Sequence, residues 1–264
     1  MKNSDLPKLG FFFKGFPEDV RFRRHTVPES LEIARGTLYE TWYRCIKASP
    51  YMAEAESHLE YRSSWHEKTH LLFGDLQGTT FDSWWLDRGY RLFSEQTDFK
   101  KIAVQGTAGG SEDGQSLMLR IPLTVSPTTL RDQFDDLLRQ HHPHYRNFDR
   151  WKHSTAQARL KSSRLTSVSL NLYMDVYEHW AANPKLQLYA IGEQLELNPK
   201  LVVKRTDLSE VVKDKHLQMS LLVSEYLGKA KNLVAHASEG RFPCTDDHEW
   251  VERTTRAPNW RKRE

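Results

Sequence analysis

The amino-acid sequence predicts a mainly α-helical protein of the α+β class, with a helical N-terminal domain that carries one β-hairpin and an all-helical C-terminal domain. Apolar residues recur every three or four positions over most of the chain, which is the period of an amphipathic helix. A convincing strand pattern occurs only at about residues 101–125. With 264 residues, 38% of them hydrophobic, the chain can bury a sizeable core as one large domain or two smaller ones.

Three helices are predicted before the hairpin. The first begins at Pro28, the second runs from about Ala53 to Phe73, and the third follows Thr79 or Thr80, whose hydroxyls suit an N-cap. The first helix places five residues at helical spacing, namely Leu31, Ala34, Leu38, Trp42 and Cys45. The third places large side chains toward one side, namely Phe81, Trp84, Trp85 and Leu92. These spacings predict that aromatic rings form much of the core.

The hairpin and one further helix complete the predicted N-terminal domain, residues 1–140. The segments KIAVQG and QSLMLRIPLTV are separated by the glycine-rich TAGGSEDG, which is typical of a hairpin connection. Ser126 and Pro127 then suit the N-cap and first turn of the helix that contains TTLRDQFDDLLRQ.

The remaining chain divides into a linker, a helical domain and a tail. Residues 141–167 lack a sustained apolar period and are interpreted as a basic linker. Residues 168–243 are predicted to be helical from about Ser169 to Ser238, with Gly240 as the C-terminal cap. Residues 244–264 form a basic tail.

Composition and charge limit the classes of function. The chain has only two cysteines and no apolar run long enough for a signal sequence or a membrane span, so a cytoplasmic protein without membrane contact is expected. Residues 1–138 contain 17 Lys and Arg against 20 Asp and Glu, whereas residues 139–264 contain 21 against 15. The basic second half raises the question of a polyanionic partner.

The segment HEKTH matches the H-E-x-x-H pattern of zinc peptidases. On a helix His66 and His70 project from one side, and Glu67 lies where it could polarise a metal-bound water. The following GTTFD resembles the G-T-x-x-D element of the aspzincin metallopeptidases, and this resemblance implies Asp82 as a third ligand and Glu67 as general base. The charged Lys68, the short spacing to Asp82 and the lack of an upstream sheet favour instead two histidines that border the apolar face of a packed helix.

The segment from Leu186 to Arg205 has the spacing of a helix-turn-helix. Its pattern residues are Ile191, Gly192, Leu195, Leu197, Asn198 and Val202. Over these 20 residues the chain resembles the helix-turn-helix DNA-binding superfamily, although Glu196 stands where that family favours glycine. The resemblance implies a recognition helix that Asn198 caps and Pro199 begins, with Lys200, Lys204 and Arg205 exposed to DNA. Two short amphipathic helices inside a helical domain would produce the same pattern.

A second basic segment precedes this domain. Between Arg139 and Arg164 there are seven Lys and Arg and one acidic residue. Aromatic rings alternate with Arg146, Arg150 and Lys152, so this strip could follow a phosphate backbone while its rings stack on bases. A solvated linker anchored by a few aromatic side chains is the other interpretation.

From these patterns we expect a non-enzymatic DNA-associated protein, either a regulator or an accessory protein of a mobile element. DNA is the expected partner, and residues 1–140 are available for a protein partner or a homodimer. No metal and no cofactor is assigned. The alternatives are a zinc metallopeptidase that uses His66, Glu67, His70 and Asp82, and a protein-interaction module that binds no nucleic acid.

Overall fold

The computed structural model describes most of the chain. The described residues are 10–21, 23–53, 64–95, 119, 121–142, 144–149, 151–152, 154–161 and 163–251. Within these ranges the protein is mainly helical, as predicted, and its β-structure is limited to an isolated bridge between Phe11 and His25. None of the described helices has the length and apolar character needed to cross a membrane.

The helices follow one another along the chain with short connections in most places. They are α1 (Val27–Ala34), α2 (Leu38–Lys47), α3 (Pro50–Ala53), α4 (Ser64–Phe73), α5 (Phe81–Trp84), α6 (Tyr90–Phe93), α7 (Pro127–His141), α8 (Ser167–Ala182), α9 (Leu188–Gln194) and α10 (Ser209–Ser238). A π-helical turn, Trp85–Gly89, joins α5 directly to α6.

The helix predicted to begin at Pro28 is two helices in the structure. Gly36 has a φ of +71° and ends α1, because this left-handed conformation favours glycine and does not continue a helix. The side-chain hydroxyl of Thr37 then accepts a hydrogen bond from the backbone N–H of Tyr39 and begins α2. The caps predicted at Thr80, Ser126 and Gly240 are confirmed.

The predicted aromatic core is confirmed. Trp84 donates its indole N–H to the carbonyl of Phe73 at 2.8 Å, and Trp85 donates to the hydroxyl of Ser30 at 3.0 Å. Phe93 lies within 6.0 Å of both indoles, measured between ring centroids. Each buried indole therefore has a hydrogen-bond acceptor while its ring packs against other rings.

The predicted division into domains 1–140 and 168–243 is not confirmed. Helix α2 packs against α8 and α10, and the buried residues of both regions belong to one hydrophobic cluster. Trp42 donates its indole N–H to the carbonyl of Ala237 and stacks on Phe242, with ring centroids 5.2 Å apart. Arg44 pairs with Asp175 and Glu178 on α8.

The predicted linker, residues 141–167, contains an ordered segment that covers the core. Ser154, Ala156, Ala158 and Leu160 are buried, whereas the residues between them point outward. We call residues 154–161 the strap. The alternation of small buried residues with polar exposed ones is that of an extended chain, and it was missed because Ser and Ala carry little apolar signal.

The prediction of a recognition helix after Asn198 is wrong. Asn198 accepts a hydrogen bond from the backbone N–H of Lys200 at 3.1 Å, and Leu201 N–H donates to the carbonyl of Asn198, so the expected cap forms a single turn. The chain then continues without helix until Ser209.

Competing side chains explain why this turn does not extend. The backbone N–H of Val203 donates to Glu193, and that of Lys204 donates to Asp207 at 2.8 Å. These bonds take N–H groups that a helix would bond internally, and a single turn without propagation is unfavourable.

The predicted hairpin lies almost entirely outside the described residues. Its described end, residues 121–125, is a turn without strand pairing. Helix α7 follows as predicted and has no buried residue, so it contributes little to the core.

Candidate functional site

A basic groove lies between α4, the strap and the C-terminal end of α10. Its volume is about 660 Å³. Four cationic side chains and one carboxylate line it, namely Lys68, Lys152, Arg159, Lys161 and Glu239. Apolar and aromatic side chains complete its wall, namely Trp42, Leu72, Phe73 and Trp151. We call this cavity the basic groove.

The strap sets the position of Arg159 and Lys161. The backbone N–H of Ala158 donates to the carbonyl of Leu92 at 3.0 Å, and that of Lys161 donates to the carbonyl of Phe242 at 2.8 Å. These bonds tie the strap to both halves of the core. Since alternate residues of an extended chain point to opposite sides, burial of Ala158 and Leu160 leaves Arg159 and Lys161 exposed to solvent, and all four residues line the groove.

Glu95 fixes the first residues of the strap. Its carboxylate accepts hydrogen bonds from the Ser154 hydroxyl at 2.7 Å and from the backbone N–H of Thr155 at 2.6 Å. It also accepts from the Thr155 hydroxyl at 2.7 Å. Three donors on one carboxylate hold this turn of the chain firmly beside α6.

The HEKTH segment lies on α4, as predicted. Lys68 and Thr69 from this segment line the basic groove, whereas Glu67 is exposed and His70 is half-buried. The side chain of His66 lies outside the described residues. Thus Lys68, which argued against a zinc site in the sequence, has a position in which its charge could meet an anion.

Asp82 is engaged with Arg35. The guanidinium of Arg35 contacts both carboxylate oxygens of Asp82, with N–O distances of 3.1 and 2.6 Å. This hydrogen bonding raises the pKa of Arg35 above its ordinary value. The predicted third zinc ligand is therefore held by a bidentate ion pair at the N-terminus of α5.

The structure separates most of the predicted DNA-binding residues from the groove. Of the predicted residues that the structure describes, only Lys152 lines it. Lys200, Lys204 and Arg205 are exposed on the non-helical connection between α9 and α10, and Arg146 is exposed after α7. Arg150 lies outside the described residues, and Asn198 uses its side chain to cap the turn at Lys200.

The surface predicted for a protein partner is not located by the structure. Leu71 on α4 is 75% exposed, and Leu217 and Leu221, one turn apart on α10, are each 60% exposed. Single exposed apolar residues are common on monomeric proteins, so these residues do not mark an interface by themselves.

Sequence reasoning missed a cluster at the end of α10. His236, Glu239 and His248 each offer a ligand atom, and these atoms lie within 4.8 Å of one another. It is the one group of three or more such residues among the side chains that the structure describes. The signal in the sequence is His-x-x-Glu at a helix end, followed by a histidine nine residues later.

Charge and burial set the protonation of this cluster. Burial alone would raise the pKa of Glu239, but hydrogen bonds from Arg241 and His248 outweigh it and hold that pKa below its ordinary value. Burial lowers the pKa of His236, and nearby His248 and Arg241 act in the same direction. The cluster therefore favours an ionised carboxylate and a neutral His236 at pH 7.

No protein-family model, curated protein or solved structure matches this chain.

Proposed function

We propose that the protein binds a single strand of DNA through the basic groove, as a non-enzymatic DNA-associated protein. The observation that carries this proposal is the presence of four cationic residues around one cavity, three of them from residues 152–161 and one from α4. Such a concentration of Lys and Arg attracts phosphates and releases their counterions, which is the main source of sequence-independent affinity for nucleic acid.

The walls of the groove favour a single strand. Trp151 is half-buried, precedes Lys152 in the sequence, and lines the groove together with it. Aromatic rings next to phosphate-binding cations are typical of proteins that hold single strands, because every base can stack on a ring. A volume of about 660 Å³ is that of a small-molecule pocket, which suits one or two nucleotides and excludes a double helix.

The connection between α9 and α10 is the competing location for DNA contacts. Without a recognition helix, Lys200, Lys204 and Arg205 retain their charge and exposure but have no element to insert into a major groove. Their neighbours include Glu193 and Asp207, so this surface is mixed in sign. The basic groove is the better candidate because its single acidic residue is outnumbered by four cations.

Two double variants, each of which removes two positive charges, distinguish the basic groove from the connection between α9 and α10. Binding of a fluorescently labelled single strand of mixed sequence is measured by anisotropy between about 50 and about 200 mM salt. We expect Lys152→Ala with Lys161→Ala to weaken binding about tenfold and to reduce the slope of log affinity against log salt by about 1.4, because two phosphate contacts are lost. Lys204→Ala with Arg205→Ala is the matched control and should leave both quantities unchanged.

Three results would contradict the proposal. If the wild type shows no affinity for the strand at low salt, the alternative of a protein-interaction module is favoured. If only the variant that lacks Lys204 and Arg205 loses affinity, the DNA-binding interface is the connection between α9 and α10. Tighter binding of a duplex than of a single strand would exclude the groove as the main site.

A further inference from the structure

We propose that His236, Glu239 and His248 bind a zinc ion, or a similar divalent transition metal, at the C-terminal end of α10. Two imidazoles and one carboxylate form a ligand set that zinc accepts in proteins. The proposal depends on this cluster alone and does not require the DNA-binding function proposed above, although Glu239 also lines the basic groove.

The buried ring of His236 has a lone pair without a partner. The side chain is 5% exposed, and its Nε2 is 3.0 Å from the backbone carbonyl oxygen of Asp246. Because a carbonyl only accepts, Nε2 carries the proton and Nδ1 carries the lone pair. Within the described part of the chain, Nδ1 is buried and has no hydrogen-bond partner. A histidine that donates one ring N–H to a backbone carbonyl and offers the other nitrogen is the usual arrangement of a metal ligand.

The carboxylate of Glu239 contacts two of its neighbours through one oxygen. The bonds from Arg241 and His248 both use Oε2, with distances of 2.9, 2.5 and 3.3 Å. Oε1 takes part in none of these bonds. Arg241 is about half exposed, so its guanidinium can move into solvent as the cation enters.

The distances require a modest closure. The ligand atoms lie within 4.8 Å of one another, whereas two ligands of a tetrahedral zinc ion are about 3.3 Å apart at bond lengths near 2 Å. His236 is held by the end of α10, and His248 lies on the loop that follows it. Closure therefore needs movement of the loop and leaves the helix in place.

His248 must change tautomer when the metal binds. Without metal, the backbone N–H of Trp250 donates to Nδ1 at 3.2 Å, so the ring proton is on Nε2 and points at Glu239. Zinc takes the lone pair of Nε2, and the proton then resides on Nδ1. The Trp250 N–H must turn away from Nδ1, which moves the Trp250 ring that packs 4.5 Å from His248 and 5.2 Å from Tyr51. Binding should therefore change tryptophan fluorescence as well as metal content.

Zinc titration of the purified full-length chain tests the proposal, with calorimetry, metal analysis after desalting, and tryptophan fluorescence as readouts. We expect about one zinc ion per chain in the wild type, with a fluorescence change that saturates at the same ratio. His248→Gln and Glu239→Gln should each raise the dissociation constant by at least about 100-fold, because two remaining ligands hold zinc poorly. Glu239→Gln has nearly the shape of the native side chain, so it keeps the comparison valid if His248→Gln unfolds.

His70→Ala is the control, since it removes a ligand of the alternative HEKTH site and lies outside the cluster. It should bind zinc as the wild type does. The proposal is overturned if the wild type binds no zinc, if Glu239→Gln and His248→Gln retain the ion, or if His70→Ala alone abolishes binding.

Discussion

At the scale of single residues, Glu95 connects several parts of the fold through its hydrogen bonds. Its carboxylate accepts three hydrogen bonds from Ser154 and Thr155 and so holds the start of the strap. Its own backbone N–H donates to the carbonyl of Phe12 at 2.8 Å, which also ties the N-terminal segment to the end of α6. The carboxylate and the backbone N–H of Glu95 together join three stretches of chain that are far apart in sequence.

We predict that Glu95→Ala lowers the free energy of unfolding by about 2–3 kcal/mol, because a charged acceptor is removed and a backbone donor loses its partner. Urea denaturation followed by circular dichroism measures the change. Glu249→Ala, which removes an exposed carboxylate from the C-terminal loop, is the control and should stay within about 0.5 kcal/mol of the wild type. Equal effects of the two substitutions would show that the three hydrogen bonds contribute nothing to stability.

At the scale of elements, two helical glycines have opposite surroundings. A Cβ on Gly192 of α9 would meet the Met219 side chain at 2.5 Å and the Val223 side chain at 2.9 Å, both on α10. Gly192 therefore permits the close packing of α9 on α10. A Cβ on Gly228 of α10 would meet no atom within 4 Å outside its own helix.

Replacing each of the two glycines by alanine should change the free energy of unfolding in opposite directions. Gly228→Ala should raise the free energy of unfolding by about 1 kcal/mol, because alanine has the higher helix propensity. Gly192→Ala gains the same propensity but overpacks buried Met219 and Val223, so we expect a net loss of about 1–2 kcal/mol. Thermal or urea denaturation of both variants gives the sign. Stabilisation by Gly192→Ala would mean that α9 can move away from α10 at little cost.

Local signals in the sequence predict a helix or a cap well where the same local interaction is also present in the folded structure. Hydroxyl caps at Thr80 and Ser126 were predictable because a cap depends on neighbours within three residues. The turn at Asn198 was also predictable, but the helix after it was not. Its extension is prevented by Glu193 and Asp207, whose bonds to the backbone depend on how α9 and α10 begin and end.

At the scale of the whole molecule, the two predicted domains share one hydrophobic core. Trp42 on α2 packs against Phe242, and Cys45 lies 3.5 Å from the sulfur of Met174 on α8. Burial raises the pKa of the Cys45 thiol, which makes it a packing residue with little thiolate character, as the sequence indicated.

A shared core predicts one cooperative unfolding transition. Tryptophan fluorescence includes the signal of the aromatic core, which contains Trp42, Trp84 and Trp85 of the eight tryptophans, whereas circular dichroism is dominated by long helices such as α8 and α10. We expect the two signals to give the same midpoint and the same slope in urea. Two separate midpoints would restore the two-domain organisation that the sequence predicts.

The candidate site was less predictable than the fold for a physical reason. Lys152, Arg159 and Lys161 all belong to the basic segment between Arg139 and Arg164, but Lys68 is brought beside them only by the packing of α4. A charge cluster assembled from distant segments has no period or spacing in the sequence. His236, Glu239 and His248 are closer together, yet the pattern shows no more than three polar residues near a helix end until the loop is folded back.

The hydrogen bond between Trp42 and Ala237 can form only late in the synthesis of the chain. The two residues are 195 positions apart, which a ribosome covers in about 10 to 40 s at about 5–20 residues per second. Throughout that interval, the side of α2 that later meets α10 and Phe242 has no cover. The nascent chain therefore presents an uncovered aromatic surface until α10 emerges.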